Sequence, residues 1–503
     1  MFDQFDYGRA TPVALRRFIR QTKAWSQPPR FLLLWGDDIY RFRTDPQPAW
    51  WLPSYGNAVS DAWFAMQSEG PGDLTEIIAI GRVPLRTNAE GALFTGKVQR
   101  SESAAPSDWQ KRAILMSGGN GAGEQRDFRA YIQGVGARVS DRPVGADTVF
   151  FHKTSDEVLD TSLQDSIRVA LQDGAAFLTY LGHSAAETWE IVIDDPEDFS
   201  NEDRLPVVFS LGCRTGNFAA LSDRGTRAER RVLGSEAVSS AHWGTSESAR
   251  VPETRAICVF AHQVIFSVSR EGDADTTRAL GLALQEAKRR YATTFGFGGV
   301  SYYPVKHLLQ YGLIGDPASR IVLPSEPDLA VAEADLRISP AAPLVEDGML
   351  TADVRVRTRG LVPLDSLTVT VRQERPSRGD TLVSRRLAPF GIATTFAIPL
   401  PLAEGDAGTH FVSVTADALS EISEFDETNN LVSRKPHVVF SNGLAVVFPQ
   451  DFATVDARQP RLRVSLASPR AAQGAAVLFE IDRVPTFDSP TKQSSTSIPI
   501  RNA

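Results

Sequence analysis

Two hydrophobic rhythms alternate along the first two thirds of the chain. Short continuous apolar runs, bounded by turn residues, exchange with stretches whose apolar positions recur every three to four residues. The first pattern is that of strands buried on both faces, and the second predicts amphipathic helices. Thr11-Pro12 followed by Val13, Leu15, Phe18 and Ile19 predicts an N-capped helix. Strands are predicted at 30–37, 76–84, 112–119 and 148–152, and helices at 88–100, 125–135, 163–172 and 276–291. Two further stretches, 175–184 and 205–216, are each an apolar run that stops at a glycine. The block closes at 309–317. Strands alternating with helices in this way predict an α/β fold, a parallel sheet with helices on both faces.

The rhythm changes at Pro324-Ser325-Glu326-Pro327, which reads as a linker. Beyond it, 350–357, 367–372 and 409–416 alternate with period two. Several short strands separated by turns predict an all-β sandwich. A second β pattern, with runs at 445–448 and 476–481, is too short to close a sandwich of its own and reads as a partial domain. The expected organisation is 1–325, 328–440 and 443–503, and 503 residues accommodate that number of cores. The chain opens straight into a helix-and-strand unit and stops inside a β pattern, so both ends read as cut.

Composition narrows the chemistry. A formal net charge of -8 supplies no basic excess for phosphates, which argues against a nucleic-acid partner. No apolar run approaches the ~18 residues of a membrane helix, and Met1-Phe2-Asp3-Gln4 does not begin a signal peptide. The two cysteines, Cys213 and Cys258, exclude a disulfide framework and a thiolate zinc cluster. Cys258 lies in the apolar helical run 256–260 and reads as a small core hydrophobe.

Cys213 is different. It follows the glycine that ends one buried run, just as His183 follows the glycine that ends the other. If those strands are neighbours, imidazole and thiol share one edge of the sheet, where α/β folds place reactive groups. Thiolate is the nucleophile, and a neighbouring imidazole that takes the proton later protonates the leaving amine. His152, His242, His262 and His307 read as core or surface histidines. Gly118 to Gly123 lacks the following Gly-Lys-Ser/Thr of a phosphate loop. No cofactor is required by this chemistry. The acidic run 194–203 has oxygen ligands of the kind calcium takes, with Asp194 and Asp195 as candidates, and a solvated loop is the competing reading.

The first ~325 residues resemble the gingipain family of cysteine peptidases, within the caspase-like hydrolases. The resemblance is carried by Phe2 to Gly8, Gly36-Asp37, Ser60 to Ala65, Ile80 to Pro84, Tyr180-Leu181-Gly182-His183, Gly212 to Phe218 and Gly315-Asp316-Pro317. In layout the chain is most similar to PorU-type, sortase-like proteins of bacterial type IX secretion. The sandwich resembles a CARDB-type immunoglobulin-like module, carried by Glu424 to Asn430. The resemblance implies a Cys213–His183 dyad acting on protein or peptide substrates, by hydrolysis or transpeptidation. It implies an oxyanion site made by the amides of Cys213 and Ser184, and export to the cell surface or medium, among surface or secretion-machinery partners. Glu124 is the candidate group orienting His183. Arginine-cleaving relatives carry a pocket acid where this chain has Arg126, with Asp127 one residue on, so arginine preference is not expected. Relatives usually have glycine after the histidine, where this chain has Ser184. That departure and the adhesion-like module both favour an alternative: a surface scaffold with a decayed pocket, using its β modules for adhesion.

Overall fold

The computed structural model describes residues 1–38, 49–56, 59–67, 75–219, 225–235, 237–266, 279–295, 302–450, 453–455, 461–466 and 476–499. The first three residues of the helix expected at 276–291 and parts of the segment 443–503 lie outside them. The chain divides into two compact units, Met1–Pro327 with Arg359–Val362, and Asp328–Thr358 with Pro363–Ala503.

The first unit contains helices α1 (Phe2–Asp6), α2 (Pro12–Thr22), α3 (Ala62–Ala65), α4 (Asn88–Ser103), α5 (Gly121–Val139), α6 (Gln164–Gln172), α7 (Arg227–Leu233), α8 (Val251–Phe266), α9 (Leu280–Phe295) and α10 (Tyr302–Gln310). Its strands are β1 (Phe31–Trp35), β2 (Ala79–Val83), β3 (Arg112–Ser117), β4 (Asp147–His152), β5 (Phe177–Leu181), β6 (Val207–Leu211), β7 (Ala241–Thr245) and β8 (Tyr311–Ile314). Helix starts follow local chemistry. Thr11 accepts from the Ala14 amide with Pro12 at the first helical position, and Thr87/Glu90 and Thr226/Glu229 form capping boxes for α4 and α7.

The strands form one sheet in the order β1-β2-β8-β7-β6-β5-β3-β4. Every adjacent pair is parallel except β7–β8, which is antiparallel. The sheet is therefore two parallel blocks of opposite direction meeting at that pair. Periodicity reports burial and not strand direction, so this junction was invisible in the sequence. The continuous apolar runs are explained by burial on both faces. In β3, Ala113 and Leu115 face the core that α5, α8 and α9 cover, while Ile114 and Met116 face a second core with Ile167, Leu171 and Trp189. β5 and β6 alternate in the same way, Phe177 and Phe209 on one side, Leu178 and Val208 on the other. Cys258 is fully buried in the first core, as its helical run implied.

The second unit is an antiparallel sandwich. One sheet pairs β10 (Leu336–Ser339), β11 (Met349–Thr358) and β14 (Ala393–Pro401), with β9 (Leu329–Ala330) also on β11. The other runs β13 (Thr381–Leu387), β12 (Leu367–Glu374), β15 (Gly408–Thr415) and β16 (Leu431–Val439). Inward residues at every second position, such as Leu350, Ala352, Val354 and Val356, make its core. Beyond residue 440 the described strands pair as two-stranded ribbons, the first between Leu444–Phe448 and Arg463–Leu466.

Candidate active site

β5 and β6 are parallel neighbours with Leu181 beside Leu211. His183 and Cys213 each lie two residues past those partners, so both leave the sheet at the carboxyl end of the same strand pair. That is the edge where parallel sheets collect reactive groups. Cys213 is partly exposed, and the His183 side chain is 47% exposed. Solvent and a substrate can reach both.

His183 is held from two directions. Its Nε2 lies 2.9 Å from Glu124 Oε2, the same oxygen that accepts from the Asn120 amide at 2.6 Å in the first turn of α5. Burial pushes the Glu124 carboxyl up, and the Asn120 amide and His183 outweigh it, so the group titrates below the usual carboxylate range. An ionised carboxylate only accepts, so Nε2–H is the donor, and in the neutral imidazole Nδ1 keeps the free lone pair. The second hold is on the backbone. The His183 amide donates to Glu190 Oε1 at 2.8 Å, and its carbonyl accepts from the Tyr180 hydroxyl at 2.6 Å.

A small hairpin frames the histidine. Glu190 N–H donates to the His183 carbonyl and Ala185 N–H to the Thr188 carbonyl, which makes Ser184 and Trp189 a non-hydrogen-bonded pair. At such a position the backbone amide points away from the partner strand, leaving the Ser184 N–H outside the hairpin ladder. Its hydroxyl donates to the Cys213 carbonyl at 2.9 Å, tying the two strand ends together. Trp189 stacks on Tyr180 with ring centres 4.4 Å apart and donates to Ser210 at 3.0 Å, which pins the hairpin to the sheet.

Cys213 opens a tight turn. Arg214 adopts φ 60°, and its amide donates to the Glu247 carbonyl and to Thr245 Oγ1, both at 3.2 Å. Its guanidinium pairs with Glu247 at 2.8 Å. The Cys213 sulfur lies 4.0 Å from the Ala249 carbonyl, so the segment after β7 walls one side of the thiol.

Arg126 and Asp127 are exposed on α5, 77% and 61%, with Arg126 Nε 3.5 Å from the Asp127 carboxylate. Asp194 is engaged by Arg168 and by Gln164 at 2.6 Å, which hold its carboxyl below the usual range against burial. Asp195 lies 3.6 Å from Arg230. Among the described residues no group of three or more His, Cys, Asp or Glu is placed to hold a metal ion.

Sequence reasoning missed Glu190 and its buried partner Lys153, 3.1 Å away. The available signal was a lone acid between Trp189 and Ile191 in an otherwise apolar run. Such a residue, if inside, demands partners.

The model of peptidase family C25 matches residues 1–322. The crystal structure of the Arg-specific cysteine proteinase gingipain R (RgpB) is similar at 13% identity, covering 85% of this chain and 88% of that one, with a TM-score of 0.51. The complex of Porphyromonas gingivalis RgpB pro- and mature domains is similar at 13% identity, covering 87% and 92%, with a TM-score of 0.52. Likeness at that identity establishes the fold. A CARDB domain from Pyrococcus furiosus, in complex with di-metal ions, matches 23% of this chain and 90% of its own at 19% identity and a TM-score of 0.18. No curated protein sequence matches.

Proposed function

Since the chain belongs to peptidase family C25, we propose that it cleaves peptide bonds through a thioester formed on Cys213. The observation that carries the proposal is the placement of His183 and Cys213 at matching positions past two paired parallel strands, with Glu124 on Nε2 of the imidazole. Nδ1 of His183 takes the thiol proton, and the sulfur attacks the carbonyl carbon. The oxyanion is received by the amides of Ser184 and Cys213. When the C–N bond breaks, the imidazolium returns its proton to the amine, leaving an acyl-enzyme. Water then adds to the thioester, gives its proton to His183, and releases the acid and the thiol.

Ser184 fits this scheme. Its amide stays outside the hairpin ladder and its hydroxyl bonds the Cys213 carbonyl. That favours an active site over the scaffold reading, to which the loss of glycine at this position and the adhesion-like module both pointed. The exposed Arg126 and Asp127 offer no buried carboxylate to an arginine side chain, which supports a different preference beside the scissile bond. The finer assignment is a sortase-like transpeptidase of type IX secretion, acting outside the cytoplasm on exported proteins. Its support is the layout, a C25 unit followed by an antiparallel sandwich. In that case an amine replaces water in the second step.

Labelling with a peptide-based, thiol-reactive probe tests the proposal. Wild type is expected to label, and Cys213→Ala and His183→Ala are not. Absence of label in wild type, or label that persists in both variants, overturns it. A ligated product with an added amine separates transpeptidation from hydrolysis.

A further inference from the structure

Beneath the site lies a buried charge that the proposed chemistry does not use. Glu190 is 4% exposed, and its partners Lys153 and Tyr180 are 1% and 0% exposed. One oxygen, Oε1, accepts from two backbone amides, Gly119 at 2.7 Å and His183 at 2.8 Å. The other, Oε2, faces Lys153 Nζ at 3.1 Å, and Lys153 also reaches the Gly119 carbonyl at 3.4 Å. Tyr180, whose hydroxyl donates to the His183 carbonyl, has that hydroxyl 3.5 Å from Oε1.

The two amides belong to different loops. The His183 amide belongs to the loop after β5. The Gly119 amide belongs to the loop after β3, and the next residue, Asn120, donates to Glu124 Oε2 at the start of α5. The same carboxylate oxygen thus fixes the loop presenting His183 and the turn presenting Glu124. The surrounding chain is shaped to admit it. A Cβ on Gly118 would lie 1.8 Å from Glu190 Oε1, and one on Gly182 would lie 2.5 Å from it. A buried ion pair is a poor device for stability alone, since apolar residues of similar volume do as well. Here it supplies a charged acceptor aimed at two loops whose side chains must meet.

We infer that Glu190 is a positioning residue that sets the Glu124–His183 alignment, with Lys153 as its counter-ion. This rests on the peptidase reading above. Misplacing a reacting group by about 1 Å costs roughly 100-fold in rate, so the effect falls on kcat while KM stays within about threefold.

Three measurements on the full chain test it: peptide turnover, alkylation of Cys213 by iodoacetamide as a function of pH, and hydrogen exchange of the segments holding Gly119 and His183. Glu190→Ala is expected to lower kcat by roughly 100-fold, to move the alkylation profile toward that of His183→Ala, and to speed exchange in both segments. The paired change Glu190→Gln with Lys153→Met keeps an amide oxygen for both N–H groups and removes both charges. It is expected to recover slow exchange and to bring kcat within about tenfold of wild type. Should Glu190→Ala not fold, the paired variant decides: fast exchange in both loops, or an alkylation profile like that of His183→Ala, overturns the inference. A Glu190→Ala protein with wild-type exchange and alkylation also overturns it. If wild type shows no turnover and no probe labelling, the peptidase reading fails, while exchange and alkylation still decide the role of Glu190.

Discussion

Replacing Lys153 by methionine isolates the energetics of the buried pair. The Lys153 side chain is fully buried and that of Glu190 is 4% exposed, with 3.1 Å between the charges. At an effective dielectric of about 20, two unit charges at that distance attract by about 5 kcal/mol. Lys153→Met removes the attraction and leaves Glu190 inside with neutral donors only, the Gly119 and His183 amides. Breaking one side of a buried pair costs about 3–5 kcal/mol, and that is the loss expected. Glu190→Gln alone strands the ammonium and is expected to cost a similar amount. The paired variant leaves no charge uncompensated and is expected to be no less stable than either single one, so the single costs do not add. Urea unfolding of the full chain at neutral pH, followed by tryptophan fluorescence, measures all three. The lack of solvent around the pair also predicts little dependence on salt. A Lys153→Met loss below about 1 kcal/mol, or costs that simply sum in the pair, would refute the reasoning, because surface-like pairs behave that way.

Other consequences can be checked separately. Burial, and then the nearby Asp37, push the Glu229 carboxyl from 4.5 up to about 8. Its contribution to stability is complete below the ordinary carboxylate pKa and is lost as pH rises through about 8. Glu229→Gln should therefore flatten a decline in melting temperature between pH 5 and 9; an unchanged slope counts against this. For Gly182→Ala, the added carbon would lie 2.4 Å from the Tyr180 hydroxyl and 2.5 Å from Glu190 Oε1. A loss of about 1–3 kcal/mol should appear in the same urea experiment, together with loss of probe labelling. Glu124→Gln should reduce kcat by roughly 10–100-fold with little change in probe affinity. Its carboxyl titrates low, so the wild-type advantage should vanish as the medium is acidified through that range. Ser184→Gly removes the hydroxyl bond to the Cys213 carbonyl, and should cost about 1 kcal/mol of stability while labelling persists.

What the sequence disclosed follows from what periodicity measures. Burial on both faces leaves an unbroken apolar run, so β3, β5 and β6 were legible, and the glycines that end two of the runs pointed to His183 and Cys213. Alternation disclosed the sandwich because its strands are buried on one face only. Strand β7 was not legible, since Ala241-His242-Trp243-Gly244-Thr245 is entirely buried yet carries histidine, glycine and threonine. The reversed direction of β8 depends on how α10 returns the chain, and no short-range pattern encodes it. Glu190 escaped notice for a related reason. A buried acid is identified by its partners, and its partners Gly119, Lys153 and His183 come from three different loops.

The glycines around the site have a common physical reason that bears on the departure at Ser184. Gly118 and Gly182 are small because Glu190 occupies the space their side chains would fill, and Gly212 is small because Ser184 does: a Cβ there would lie 2.1 Å from Ser184 Oγ. None of these three has a φ in the left-handed region, so steric room and not backbone freedom accounts for them. The serine is thus built into the site, with a vacancy opposite it at Gly212 and an acceptor for its hydroxyl in the Cys213 carbonyl. Ser184 therefore supplies a cross-strand bond between the two loops that carry the sulfur and the imidazole. The consequence is directional: enlarging Gly212 to alanine must displace Ser184, whereas Gly212→Ala combined with Ser184→Gly relieves the clash. Probe labelling lost in the first variant and recovered in the second is the outcome this argument requires.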